Sequence, residues 1–300
     1  MNRTFATTTL ALGLFGLAAC KGGAGDAVKL VPDSATVIAG VDLKGVQDSK
    51  LYKDYKDKIE AGAKEQIEAA KKCELGPDKW KSAVIGANPE KGEGAMVAIV
   101  SADGLGKKET LECIIKESGE KAPFSLEDDG KTIKPKGDEG TGYVIDDNTI
   151  VFAGKDWAST VKDLVDGKGK SVNDGELKDI LGRTDTGKHI WFAGKLPADM
   201  QEMAGQAGFK PKDLAGFLHL ASGLELSVSA GVDDADAAKD AAQKSFDQFK
   251  GMATSMGGVP QSVVDSVKID SKGGAVTVEM KASDEELTTI MAQAKDKLPF

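Results

Sequence analysis

Three pairs of matching segments run along this chain in the same order, and that order constrains the fold more than any single motif. Thr36-Val-Ile-Ala-Gly-Val-Asp-Leu43 matches His189-Ile-Trp-Phe-Ala-Gly-Lys-Leu196, and both alternate like strands opened by turn residues. Met96–Ala102 matches Leu224–Ala230 through a shared Val-Ser-Ala, each followed by a polar turn and a helical pattern. Gly142–Asp156 reads as strand, Asp146-Asp147-Asn148 turn and strand; Val267–Asp284 repeats this around Lys272-Gly273-Gly274. A helix closes each set, with Trp157, Val161, Leu164 and Val165 on one face and Leu287, Ile290, Met291 and Ala294 on the other copy's. The distance between partners shrinks after the first pair because the first copy has a longer first helix and following loop.

The helices are legible individually. Tyr52, Tyr55, Ile59, Ala63, Ile67 and Ala70 keep helical spacing through a charged stretch, as do Ala238, Ala242, Phe246, Phe249, Met252 and Met256. Ser283-Asp-Glu-Glu286 is a capping box, and Asp156 is placed to cap the helix that begins at Trp157. Strands joined by tight polar turns pair antiparallel. The expectation is an α+β protein of two repeated units, each an antiparallel sheet with helices packed on one face. The first unit spans residues 31–166 and the second 183–300. A linker, 167–182, holds a short helix from Asn173 to Leu181.

The N-terminus carries an address. Arg3 precedes an apolar run, Phe5 to Gly16, too short to span a bilayer, and Leu17-Ala18-Ala19-Cys20 follows. This segment resembles the signal peptide and lipobox of bacterial lipoproteins. The resemblance implies removal of residues 1–19, acylation of Cys20, a lipidated tether over residues 20–30, and attachment to an envelope membrane. Lys21 rather than Asp after the cysteine favours, by the same resemblance, the outer membrane. Leu30–Leu43 followed by Ser49-Lys-Leu-Tyr52 is similar to the opening of uncharacterised exported bacterial proteins, a resemblance that transfers no functional residue. No second long apolar run is present, so the lipid on Cys20 is the membrane contact the sequence offers.

Cys73 and Cys113 remain once Cys20 is set aside. Export permits disulfides, and Cys113 lies off the Leu111–Ile115 stripe of its helix, which fits a bridge to Cys73 better than core filling. Two separate buried thiols are the alternative. A net charge of -9, with acids and lysines interspersed, argues against a nucleic-acid partner and gives no electrostatic reason to lie on anionic lipid.

No motif commits the chain to catalysis, a metal or a cofactor. Ser101–Thr110 sits where a phosphate loop would, but Ser101 replaces the first glycine and Lys108 the magnesium-binding hydroxyl, so its glycines read as turn residues and no nucleotide is expected. His189 and His219 fall in strand patterns with no nucleophile elbow nearby. The acids at 127–129, 146–147 and 233–236 lack calcium-loop spacing. Trp80, Trp157 and Trp191 fit core positions. Met200, Met203 and Phe209, with Met252 and Met256, line an apolar groove or fill the core. The leading expectation is a non-enzymatic, lipid-anchored structural or interaction module with an envelope protein partner. A carrier of lipid or another apolar ligand comes second, and a hydrolase with an unrecognised site third.

Overall fold

The matched segments of the sequence become strands, and the strands form one antiparallel sheet rather than two. The computed structural model describes residues 24–119, 122–137, 140–205, 210–256 and 259–295. Within them are twelve strands: β1 (Val37–Asp42), β2 (Trp80–Ala87), β3 (Met96–Ala102), β4 (Phe124–Leu126), β5 (Thr132–Pro135), β6 (Gly140–Asp146), β7 (Thr149–Gly154), β8 (Ile190–Lys195), β9 (Asp213–His219), β10 (Leu224–Gly231), β11 (Lys268–Lys272) and β12 (Ala275–Ala282). The eleven α-helices among these residues are α1 (Ala24–Ala27), α2 (Leu43–Asp48), α3 (Lys50–Ala61), α4 (Lys64–Lys72), α5 (Lys108–Ser118), α6 (Ala158–Val165), α7 (Lys178–Leu181), α8 (Ala198–Gly205), α9 (Ala235–Met256), α10 (Gln261–Asp265) and α11 (Asp284–Lys295).

The strand order is β11-β12-β10-β9-β8-β1-β2-β3-β7-β6-β5-β4. Outward from the β8–β1 seam, one side reads β1, β2, β3, β7, β6 and the other β8, β9, β10, β12, β11. At the seam Val37 faces Gly194, Ala39 faces Phe192 and Val41 faces Ile190. Ala39 and Phe192 are also the matching positions of the first sequence pair, as are Val37 with Ile190 and Val41 with Gly194. Exchanging the two segments therefore leaves the pairing unchanged.

Residues directly opposite one another in a ladder share a face of the sheet. One face carries Ile38, Val84, Val97, Ile99, Val151, Trp191, Ala193 and Ala215. Val28, Val31, the cap residue Trp157, Val161 of α6, and Ile180 and Leu181 of α7 close over it as the largest core. The opposite face is covered only toward its ends. Leu111 of α5 packs there with Leu75, Ile133 and Ile150, and Ala238, Ala242 and Phe246 of α9 pack with Ile269 and Val276. Helices thus lie on both faces, not on one as expected, because both faces of the strands are apolar.

Local chemistry explains several boundaries. Asp42 accepts from the Gly45 N–H at 2.9 Å to open α2, and Ser49 accepts from the Tyr52 N–H at 3.1 Å to open α3. The Ser283–Glu286 capping box opens α11, with the Ser283 N–H donating to Glu286 at 2.6 Å. The run expected as one helix from Tyr52 to Ala70 breaks at Gly62–Ala63, between α3, which buries no residue, and α4, which buries Ile67. Asp156 does not cap α6: Trp157 takes the cap position without a side-chain hydrogen bond, and the Asp156 N–H donates to the Gly94 carbonyl. The expected helix from Asn173 to Leu181 divides into a 3-10 turn over Val172–Asp174 and the short α7, interrupted where Gly175 presses on the Asp33 backbone. Ala24–Leu30 is folded rather than an extended tether, because Val28 is buried in the main core. The expected leader, residues 1–19, and Cys20 lie outside the described residues.

Candidate functional site

The uncovered middle of the second face is apolar along three rows. Across the sheet, one row runs Val278, Val228, Gly216, Phe192, Ala39, Ile85, Ala98. A second runs Val276, Ala230, Leu214, Gly194, Val37, Ala87, Met96, and a third runs Met280, Leu226, Leu218, Ile190, Val41, Ala83, Val100. No charged or hydroxyl side chain interrupts them. Antiparallel sheets that face water normally alternate apolar with polar residues, yet Ile85 is 52% exposed, Met96 42%, Ile190 40% and Val278 36%. Such a contiguous exposed apolar surface marks a binding site more often than an idle one.

The helices at either end, α5 and α9, leave this surface as a trough over the seam. A shallow concavity on it, about 370 Å³, is lined by Val37, Ala39, Ile85, Phe192, Leu196 and Leu214. That volume lies within the roughly 300–1,000 Å³ typical of small-molecule sites. Val37, Lys195 and Leu196 also line a second, polar cleft of about 940 Å³ at the strand ends, so the two spaces adjoin. In the polar cleft Lys195 pairs with Glu176, Lys212 with Asp233, and Asp213 with Arg183. Asp33, Glu90 and Lys91 line it with no ion pair among the described residues.

The two histidines meet at the opposite end of the strands. His219 ends β9, while His189 lies one residue before β8 rather than within it. Their rings stand edge to face, 4.3 Å apart. His189 Nδ1 accepts from the Leu220 N–H at 3.1 Å, which puts the proton of the neutral ring on Nε2. Burial, and then the neighbouring His219, hold His189 below its ordinary pKa. A cleft of about 620 Å³ gathers His219 with Glu225 and Glu286, but neither carboxylate is free for acid–base work. Glu225 lies between Lys188 and Lys281, at 3.0 and 3.1 Å, and these lysines hold it below the usual carboxylate range. Glu286 is bonded to Ser262 and Ser283 and is likewise depressed.

The other residues singled out in the sequence fall into structural roles. The backbone of the Ser101–Thr110 turn is spent internally: the Gly104 N–H donates to Asn148 Oδ1 and the Gly106 N–H to the Asp147 carbonyl, both at 2.9 Å. Asp129 accepts from the Lys131 and Thr132 N–H groups, which lower its pKa, and Asp234 accepts from Ala237 at the start of α9. Cys73 and Cys113 form a disulfide with Cα atoms 5.6 Å apart, tying the end of α4 to α5. Met200 and Met203 neither fill the core nor line the trough; they are 51% and 71% exposed on α8. Phe209 and the side chains of Met252 and Met256 lie outside the described residues. The trough residues Ile85, Ile190 and Phe192 went unread. Their signal was the nearly unbroken apolar runs of Val37–Val41 and Ile190–Gly194, which imply strands apolar on both faces.

No family model and no curated protein matches the chain. Among solved structures, two crystal forms of TP0453 from Treponema pallidum are similar, each at 9% identity and a TM-score of 0.49. Both alignments cover 88% of this chain, with 96% of crystal form I and 97% of crystal form III. The likeness transfers no residue and no activity. No helix of the described residues is long and apolar enough to cross a membrane.

Proposed function

We propose that this is an exported, non-enzymatic protein, lipid-anchored through Cys20, that holds the acyl chain of an envelope lipid in the apolar trough over the β1–β8 seam. The observation that carries the reading is the trough: three uninterrupted apolar rows, exposed at Ile85, Met96 and Ile190, between helices that stop short of covering them. The lipobox, Leu17-Ala18-Ala19-Cys20, adds a location. Ala24 is already folded, so the acylated cysteine lies within about 14 Å of the body, and the trough works beside a bilayer, the nearest source of acyl chains. By the resemblance to bacterial lipoproteins, Lys21 after the cysteine favours the outer membrane.

The chain reads as an internal duplication of two α+β units fused edge to edge. The strand order that repeats outward from the seam supports this, as does the symmetric register of Val37–Val41 with Ile190–Gly194. Fusion of two half-sheets accounts for the trough: each half brings its own flanking helix, α5 or α9, and the seam between them is left bare.

A protein partner seated on the same exposed band is the second reading. The two separate in a binding experiment with the Cys20→Ala chain, purified without detergent. The neutral apolar dye N-phenyl-1-naphthylamine is expected to bind saturably at one site and to be displaced by a long-chain fatty acid. Absence of saturable binding rejects the acyl-chain reading. Fractionation of cells tests the anchor: Cys20→Ala should leave the membrane fraction, and a variant that stays there rejects lipidation at Cys20.

A further inference from the structure

We infer that a second copy of this chain closes the trough, the two copies facing each other over their β1–β8 seams with the acyl chain held between them. The inference rests on the trough being an acyl-chain site and adds what forms its other wall. The concavity is shallow and open, so a single copy leaves the outer side of an acyl chain in water. Nor does the concavity account for the face around it. Ile190, Met96 and Val278 are exposed on the same face and lie outside its lining. An acyl chain in the concavity leaves all three bare, whereas a broad apolar partner covers them together with it.

The dimensions suit a second copy. Between the regions that α5 and α9 cover, six strands are bare: β10, β9, β8, β1, β2 and β3. Strand spacing makes this band about 29 Å wide, and six-residue strands such as β1 and β8 make it about 20 Å long. Two such faces in contact remove about 1,200 Å² from water, the lower end of the range for a stable, specific interface. The three rows carry no charge, so their cover must be apolar over the same area, and the chain's own face meets that requirement. A two-fold contact applies one patch to itself. Packed sheets lie about 10 Å apart, either nearly aligned or crossed at about 90°. The helices α5 and α9 stand about 10 Å tall on the face, so aligned sheets would run into them. Crossed sheets avoid this, because strands about 20 Å long fit between helices about 29 Å apart.

The test is sedimentation velocity of the Cys20→Ala chain, purified without detergent, with and without a long-chain fatty acid below its micelle concentration. The chain is expected to sediment as monomer and dimer in equilibrium. The fatty acid should lower the dissociation constant of the dimer about tenfold, because a ligand walled by both copies binds the pair better than the single chain. Ile190→Asp puts an unpaired carboxylate into the contact and should leave a monomer. Met203→Asp, on α8, should dimerise as the parent does, and circular dichroism checks that both variants are folded. A chain that stays monomeric while binding the naphthylamine dye saturably overturns the pairing and leaves the acyl-chain site standing. Absence of dye binding overturns both the site and the enclosed chain. A dimer that the fatty acid does not tighten, or that survives Ile190→Asp, also rejects a contact across the trough.

Discussion

Gly40 and Trp191 face each other across the β1–β8 seam, and the indole of Trp191 occupies the space a side chain at position 40 would need. A Cβ there would stand 2.6 Å from Trp191 Nε1. The neighbouring pair on the same face, Ile38 with Ala193, repeats the arrangement with the halves exchanged: a large residue from one half over a small one from the other. Trp191 is fully buried, so it has nowhere to move.

Gly40→Ala is therefore expected to destabilise the protein by about 1–3 kcal/mol, the usual cost of overpacking a closed core. Urea unfolding should show a lower midpoint at unchanged slope. An unaltered midpoint would mean that Trp191 rearranges freely, contrary to its packing.

Reducing the Cys73–Cys113 disulfide should cost up to roughly 4 kcal/mol on the chain-entropy model for its sequence separation of 40 residues. The bridge ties α4 to α5, the latter packed over β5–β7, so the loss should appear first as faster hydrogen exchange in α4 and α5. Exchange that stays uniform on reduction would count against a local tie.

His189 predicts a pH dependence with a definite sign. Its folded pKa lies below the ordinary 6.5, through burial first and His219 second; Lys188 lowers it further, while Asp42 and Asp48 raise it. The unfolded chain thus binds the proton more readily. The stabilisation is present above pH 6.5 and declines as pH falls through that value, levelling off below the folded pKa. His189→Gln keeps an acceptor for the Leu220 N–H and removes the titration. The stability difference between wild type and variant should change between pH 7 and pH 5, and a constant difference would refute the assignment.

The sequence made the strand segments legible because alternation and turn residues are local signals. Thr36–Leu43 and His189–Leu196 are β1 and β8 with their flanking residues, and the acidic turn at Asp146–Asn148 does close a hairpin. Their union into one sheet was not legible. Nothing local distinguishes two strands that each end a sheet from two that pair with each other, since the pairing is decided by edges more than a hundred residues apart. Helix breaks were missed for a related reason: Gly62 and Gly175 interrupt runs whose apolar spacing continues past them. The trough was hidden by the opposite effect. Strands apolar on both faces read as fully buried, and only the positions of α5 and α9 reveal that the middle of one face stays open.

That opening gives the prediction most particular to this molecule. Ile85 and Ile190 flank the trough and are about half exposed, so replacing either with Asp removes little core contact and introduces a solvated charge. The expected loss of unfolding free energy is about 1–2 kcal/mol, from the half-buried isoleucine surface and the poor fit of Asp to a strand, which leaves the protein folded. Ligand binding should also respond, because an acyl chain laid over the carboxylate must desolvate it; that cost exceeds the ~1.4 kcal/mol corresponding to a tenfold loss of affinity. Met203→Asp is the matching control. Met203 is more exposed than either isoleucine but lies on α8, away from the trough lining, so its substitution should leave binding of the apolar dye unchanged. Calorimetric titration of the three variants separates the alternatives. Loss in Ile85→Asp and Ile190→Asp with retention in Met203→Asp locates the site on the sheet. Equal weakening by all three would mean that the dye reports only general surface hydrophobicity, and the trough would lose its assigned role.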